Sequence, residues 1–111
     1  MTVIWTREAL EKLYEIEEFI GTDNPERVET FINYLIERGE SISQNPKIGR
    51  AVPEILNPGI REIIVKKYRI VYRIKKEKIE ILTVFEGHRL LRIDELKIDW
   101  LIASMLNLNY S

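Results

Sequence analysis

The sequence predicts an α+β fold, with two antiparallel N-terminal helices packed on a small, mainly antiparallel four-stranded sheet and an additional C-terminal helix. Two observations predict the body of it. Apolar residues recur at helical spacing before Asn45-Pro46, and from Ile60 the repeat shortens to the two-residue period of strands. A third observation, a return to helical spacing after Asp94, predicts the last helix.

Thr2 to Trp5 is a short apolar run, read as a first or edge strand. Thr6 is placed to cap a helix on which Ala9, Leu13, Ile16 and Ile20 form one stripe. Leu10, Tyr14 and Phe19 flank that stripe, glutamates mostly fill the other side, and the helix is expected to end near Gly21. In TDNPE, Asp23 or Asn24 is a cap and Pro25 takes the first position of a second helix. Val28, Phe31, Ile32, Leu35 and Ile36 line one side of it, Ile42 extends the stripe, and Asn45-Pro46 stops it. Residues 45–59 carry three of the four prolines and two of the five glycines, so they read as loop with at most a short strand. IREIIVK, YRIVYRIK and KIEILTVF are then three consecutive antiparallel strands, with Lys76-Glu77 as the turn between the second and third. In the tail, Ile98, Leu101, Ile102 and Met105 share a helical face, with Trp100, Leu106 and Leu108 close by.

The chain's 111 residues make one domain, with residues 1–92 as its body and 93–111 as a helical extension. The absence of cysteine excludes disulfides, thiolate metal sites and a cysteine nucleophile. A single histidine excludes a multi-histidine zinc site, so neither metal nor cofactor is expected. The amino terminus is charged by Arg7 and no apolar run reaches the roughly 20 residues of a membrane span, so a cytoplasmic protein is expected. The net charge of −1 hides a segregation. Residues 1–46 hold 4 Lys/Arg against 10 Asp/Glu, residues 47–92 hold 12 against 5, and residues 93–111 hold 1 against 3. Either the basic middle faces an anion or acidic partner, or the parts neutralise one another across the fold.

Alternation in YRIVYRIK puts Ile70, Tyr72 and Ile74 on a core face and Arg69, Val71 and Arg73 on the outer face. Arg61 joins these arginines if register permits, and Arg89 would sit at the rim beyond the last strand. Such guanidiniums suit phosphate or carboxylate recognition. The alternative is that they pair with Glu62 or Glu80. Glu86 and His88 flank Gly87 beside Arg89, and a histidine there titrates in the range that acid–base cleavage of RNA needs. A structural or solvent-exposed histidine is the competing reading.

WTREALEKLYEI, NPKIGRAVPE, IREI, YRIVYRI and IEILTVFEGHRLL, in that order, resemble the RelE/ParE superfamily of type II toxin–antitoxin systems, often described as plasmid stabilisation proteins. The resemblance runs from about residue 2 to 91 and implies two antiparallel helices on a small antiparallel sheet. It implies growth inhibition and a cognate antitoxin as partner, with no cofactor and no membrane. RelE-like members cleave messenger RNA on the ribosome, without a metal, whereas ParE-like members bind DNA gyrase. On the ribonuclease reading the catalytic residues are Arg69, Arg89, His88 and Glu86. On the binding reading, Arg61, Arg69, Arg73 and Arg89 form an anion or antitoxin surface. The tyrosine that RelE-like chains carry after the second arginine has no counterpart in LLRIDEL, their lysine pair is replaced around Ile60 to Glu62, and Glu86 stands where many relatives have histidine. GRAVPE and GHRLL are closer to the ParE-like style. The expectation is therefore a ParE-like toxin that binds gyrase, with an mRNA endoribonuclease or a degenerate toxin retaining only antitoxin binding as alternatives. Trp100, Leu101 and Met105 are expected on a partner-binding helix, with a homodimer among the assemblies open to the chain.

Overall fold

The computed structural model describes residues 1–55 and 57–87. The expected C-terminal helix, with Trp100, Leu101 and Met105, lies outside the described residues, as do His88 and Arg89.

Strand β1 (Thr2–Trp5) leads into helix α1 (Arg7–Asp23), whose first turn is held by Thr6: its Oγ1 accepts from the Ala9 N–H at 3.2 Å. The same hydroxyl donates to the Ile81 carbonyl at 2.7 Å, so one residue caps the helix and ties it to the sheet. Ala9, Leu13 and Ile16 are buried, and the flanking Leu10, Tyr14 and Phe19 are exposed.

Helix α1 runs two residues past Gly21, and α2 (Val28–Glu40) starts later than the proline placed it. The reason lies in the Asn24 backbone. Its N–H closes α1 on the Ile20 carbonyl at 2.8 Å, and its carbonyl accepts from Arg27 and Val28, each at 3.1 Å. Residues 25–27 are thereby held in a turn, and α2 begins without a side-chain cap. After Glu40 the backbone tightens into a 3-10 turn over Ser41–Gln44 that buries Ile42.

Strands β2 (Arg50–Ala51), β3 (Ile60–Val65), β4 (Tyr68–Lys75) and β5 (Lys78–Glu86) complete the sheet. Among the described residues the sheet has five strands, not four, in the order β1-β5-β4-β3-β2. The additional strand is the two-residue β2, which lies in the proline-rich segment and pairs antiparallel with β3. Strand β1 is the parallel member, running beside β5. The turns after β3 and β4 place Lys66 and Lys76 at φ 57°, a conformation that a lysine tolerates at modest cost.

Both faces of the sheet carry apolar cores. Against the helices pack Ile63, Val65, Tyr68, Ile70, Tyr72, Ile79, Ile81 and Val84, together with Ile32 and Leu35 of α2. On the other face Val52, Ile55, Ile60, Val71 and Leu82 form a smaller cluster with Phe85 against it. Strand β5 reaches both through a bulge: Tyr72 pairs with Ile81 and Val71 with Thr83, leaving Leu82 as the extra residue. The helix-facing positions consequently change from odd (Ile79, Ile81) to even (Val84).

Candidate functional site: a neutralised arginine beneath the proline-rich segment

The face carrying Arg69 and Arg73 is not an open, solvated sheet surface. Residues 52–55 lie over it and bury Val52 and Ile55. Arg69 is 4% exposed beneath them. Its Nη1 and Nη2 donate to the two oxygens of Glu54 at 2.9 and 2.8 Å, a bidentate fork, and its Nε donates to Glu62 at 2.7 Å. Glu62 is fully buried and takes a second cation from Arg50, whose Nε lies 2.8 Å away. Pairing of Arg50 with Glu62 follows from β2–β3 register, which sets them directly opposite. The Arg69 guanidinium also lies 4.7 Å from the centroid of the Phe85 ring.

Two arginines and two carboxylates thus compensate one another, with Arg69 and Glu62 buried, Glu54 at the margin and Arg50 reaching in from solvent. The hydrogen bonds to Glu54, then those to Glu62, outweigh the opposing effect of burial and raise the Arg69 pKa above its ordinary value. The compensation is local: Arg50, Glu54, Glu62 and Arg69 all belong to the basic segment 47–92, so the acids of residues 1–46 take no part in it. Arg73 behaves alike: it donates to Glu80, its direct cross-strand partner, at 2.8 and 3.1 Å.

Register does not bring Arg61 to this cluster. Arg61 stands opposite Tyr72, on the helix-side face, because its neighbour Glu62 occupies the arginine face. Its Nη1 donates to the Gly49 carbonyl at 2.7 Å and the Lys47 carbonyl at 3.4 Å. Its Nε is buried without a hydrogen-bond partner among the described residues. Glu86, the last residue of β5, lies 3.6 Å from Lys67 across the hairpin. Burial, reinforced by the Glu86 charge, raises the pKa of the neighbouring Tyr68. The proposed cluster of Glu86, His88 and Arg89 cannot be assembled from the described residues, which hold only Glu86.

Glu54 and Arg50 were not singled out from the sequence. The composition of their loop hides them, although Glu54 is the one acid in a stretch otherwise basic or neutral from Pro46 to Arg61. Among the described residues no group of acidic or histidine side chains could hold a metal ion, and no helix is long and apolar enough to cross a membrane.

A second feature lies between α1 and the end of β5. Ile16, Phe19, Tyr68, Val84 and Phe85 line an open cleft of about 330 Å³, with Lys12, Glu15 and Glu86 at its margin.

Comparison with known proteins accords with this architecture. A structure described as the chromosomal ParDE TA system from P. aeruginosa matches with a TM-score of 0.67 at 24% identity. That likeness covers 78% of this chain and 95% of the other, and it establishes the fold. No curated protein matches the sequence. The family described as the ParE toxin of the type II toxin-antitoxin system, parDE, matches residues 3–91. With the match spanning the two helices and five strands of the described residues, the chain belongs to the ParE toxin family.

Proposed function

We propose that the chain is the toxin of a ParDE-type pair, neutralised by a cognate antitoxin and acting, when free, by binding DNA gyrase rather than by cutting RNA. The observation that carries the choice of binding over cleavage is the state of Arg69. A cationic group that stabilises a phosphorane must reach the phosphate as charge develops. Arg69 is turned inward, 4% exposed, and its three donor positions are held by Glu54 and Glu62. Freeing it for a phosphate would strand Glu62, which is fully buried, with only Arg50 for compensation. The family match and the ParDE structural relative support a cognate antitoxin as the partner.

The deciding experiment is induced expression of the chain without an antitoxin, following message stability and plasmid supercoiling in the same cells. Intact messages with altered topology and DNA damage are expected. Rapid loss of translated messages with topology unchanged would refute the gyrase reading and make Arg69, Arg89, His88 and Glu86 a cleavage site after all. Continued growth with neither change would mean that only antitoxin binding is retained. In the same assay His88→Ala is expected to leave toxicity intact, and its loss together with message decay would again indicate cleavage.

A further inference from the structure

The two hairpin turns of the sheet are built alike and partnered differently. Each places a lysine in the left-handed region, Lys66 and Lys76 at φ 57°, where two-residue hairpins favour glycine or asparagine. At the β3–β4 turn the lysines have company: the Lys66 Nζ lies 5.9 Å from the Tyr34 ring centroid, and the Lys67 Nζ lies 3.6 Å from Glu86. At the β4–β5 turn Lys75, Lys76 and Lys78 are all exposed, and none of them forms an ion pair among the described residues. Lys75 and Lys78 stand directly opposite each other across the two strands, with Cα atoms roughly 5 Å apart. Like charges in that position are destabilising. Two pairs further in, the same ladder sets Arg73 against Glu80 and bonds them. Three lysines against Glu77 leave residues 75–78 with a net charge of +2. An acid at position 78 would resolve the conflict within the chain, and a lysine stands there instead. Local choices that work against folding concentrate where a protein meets a ligand, and this ligand must be an anion.

The composition of the tip selects the kind of anion. None of residues 75–78 is apolar or aromatic, so the tip has neither the apolar patch with which a protein partner would be covered nor the ring on which an unpaired base would stack. Lysines acting as point charges suit a phosphate backbone, whose recognition needs no pocket. The excess acid of residues 1–46, 10 Asp/Glu against 4 Lys/Arg, repels a polyanion from the helices and steers it toward the basic turns.

We propose that the β4–β5 tip is a contact for the phosphate backbone of duplex DNA, made by Lys75, Lys76 and Lys78. Three phosphate contacts give weak, sequence-independent binding, about 10⁻⁴ M or weaker at physiological salt, which suffices to orient a toxin already docked beside DNA. The proposed gyrase target carries such DNA; that use rests on the gyrase reading, while the binding itself does not.

Anisotropy of a labelled duplex of about 20 base pairs, titrated with the full chain at salt from about 20 to 200 mM, tests the contact. The logarithm of affinity is expected to fall with the logarithm of salt at a slope of about −2.7, and each of Lys75→Gln, Lys76→Gln and Lys78→Gln should reduce that slope by about 1. The triple variant should lose at least about tenfold in affinity at about 50 mM salt, whereas Lys66→Gln combined with Lys67→Gln should change it by at most about threefold. All these side chains are exposed, so the variants should fold, and circular dichroism of each verifies this. No binding at the lowest salt would overturn the proposal, as would equal losses from the two turns, which would mean diffuse attraction. Polyglutamate that binds as tightly as the duplex with the same lysine dependence would overturn it in favour of an acidic protein segment. The conflict within the tip has its own readout: Lys78→Glu should raise the melting temperature while abolishing binding, and a lower melting temperature would remove the ground for the inference.

Discussion

Replacing Arg69 by methionine tests whether the charged cluster is a structural clasp or a site held ready for an anion. The substitution keeps an unbranched apolar stem but removes the cation from between Glu54 and Glu62. Glu54 can turn to water, since it belongs to the surface segment, and its side chain is 17% exposed. Glu62 cannot. Breaking a buried pair costs about 3–5 kcal/mol, and because Arg50 still sits 2.8 Å from Glu62 the lower end, about 3 kcal/mol, is expected. At about 4 °C per kcal/mol for a domain of this size, Tm should fall by about 12 °C. Glu62→Gln alone leaves Arg69 with Glu54 and should cost about 2 kcal/mol through an imperfectly satisfied buried network. The double variant should then cost about 3 kcal/mol rather than the sum of about 5, a coupling of about 2 kcal/mol. Urea unfolding of the four proteins, with the denaturant slope checked for constancy, measures the cycle. A loss below about 1 kcal/mol for Arg69→Met, together with additive effects, would refute the clasp and restore Arg69 as a residue available to ligands.

Other perturbations address other joints of the fold. Gly39→Ala should destabilise by about 1–2 kcal/mol in chemical denaturation despite alanine's better helix propensity, because its Cβ would stand 2.5 and 2.6 Å from ring atoms of Trp5; Trp5 emission should change with it, and an unchanged or stabilised protein would show that the ring moves freely. Tyr72→Phe removes a buried hydroxyl that accepts from the Gly49 N–H at 2.9 Å and donates to the Pro46 carbonyl at 2.6 Å, so a loss of about 1–3 kcal/mol is expected, with faster amide exchange at Gly49. Glu8 has its pKa raised, by burial first and against the pull of Lys12 and the Thr83 hydroxyl. A raised carboxyl means that the folded state holds its proton over a range where the unfolded state has lost it, so its contribution to stability falls as pH rises through that range. Glu8→Gln should therefore gain on the wild type as pH climbs above the ordinary glutamate value, and thermal melts at pH 4 and pH 7 that show no such divergence would contradict it.

The elements legible in the sequence were those whose periodicity is local. Thr2–Trp5 and Tyr68–Lys75 fall where the apolar run and the alternation put them, because a strand buried on one face must repeat every two residues. Ile70, Tyr72 and Ile74 took the core face for the same reason. What periodicity could not convey is what another segment does to the opposite face. Arg69, Val71 and Arg73 alternate as solvent-facing residues should, yet Val52, Glu54 and Ile55 arrive from a stretch whose prolines mark it only as irregular. The pairing of Arg69 with Glu62 and of Arg73 with Glu80 was visible as the alternative to an anion site, since cross-strand charges of opposite sign attract wherever register sets them together. Arg61 missed the cluster because register is a two-valued variable: with Glu62 on the arginine face, its neighbour must take the other. The bulge at Leu82 adds the complementary lesson, since one unpaired residue exchanges the faces of everything after it and lets Phe85 reach the Arg69 guanidinium. The basic middle third carries five acids of its own among its twelve Lys/Arg. Only the tertiary fold decides which acid meets which arginine, and it places Glu54 and Glu62 on the arginine that would otherwise be best placed to hold a phosphate.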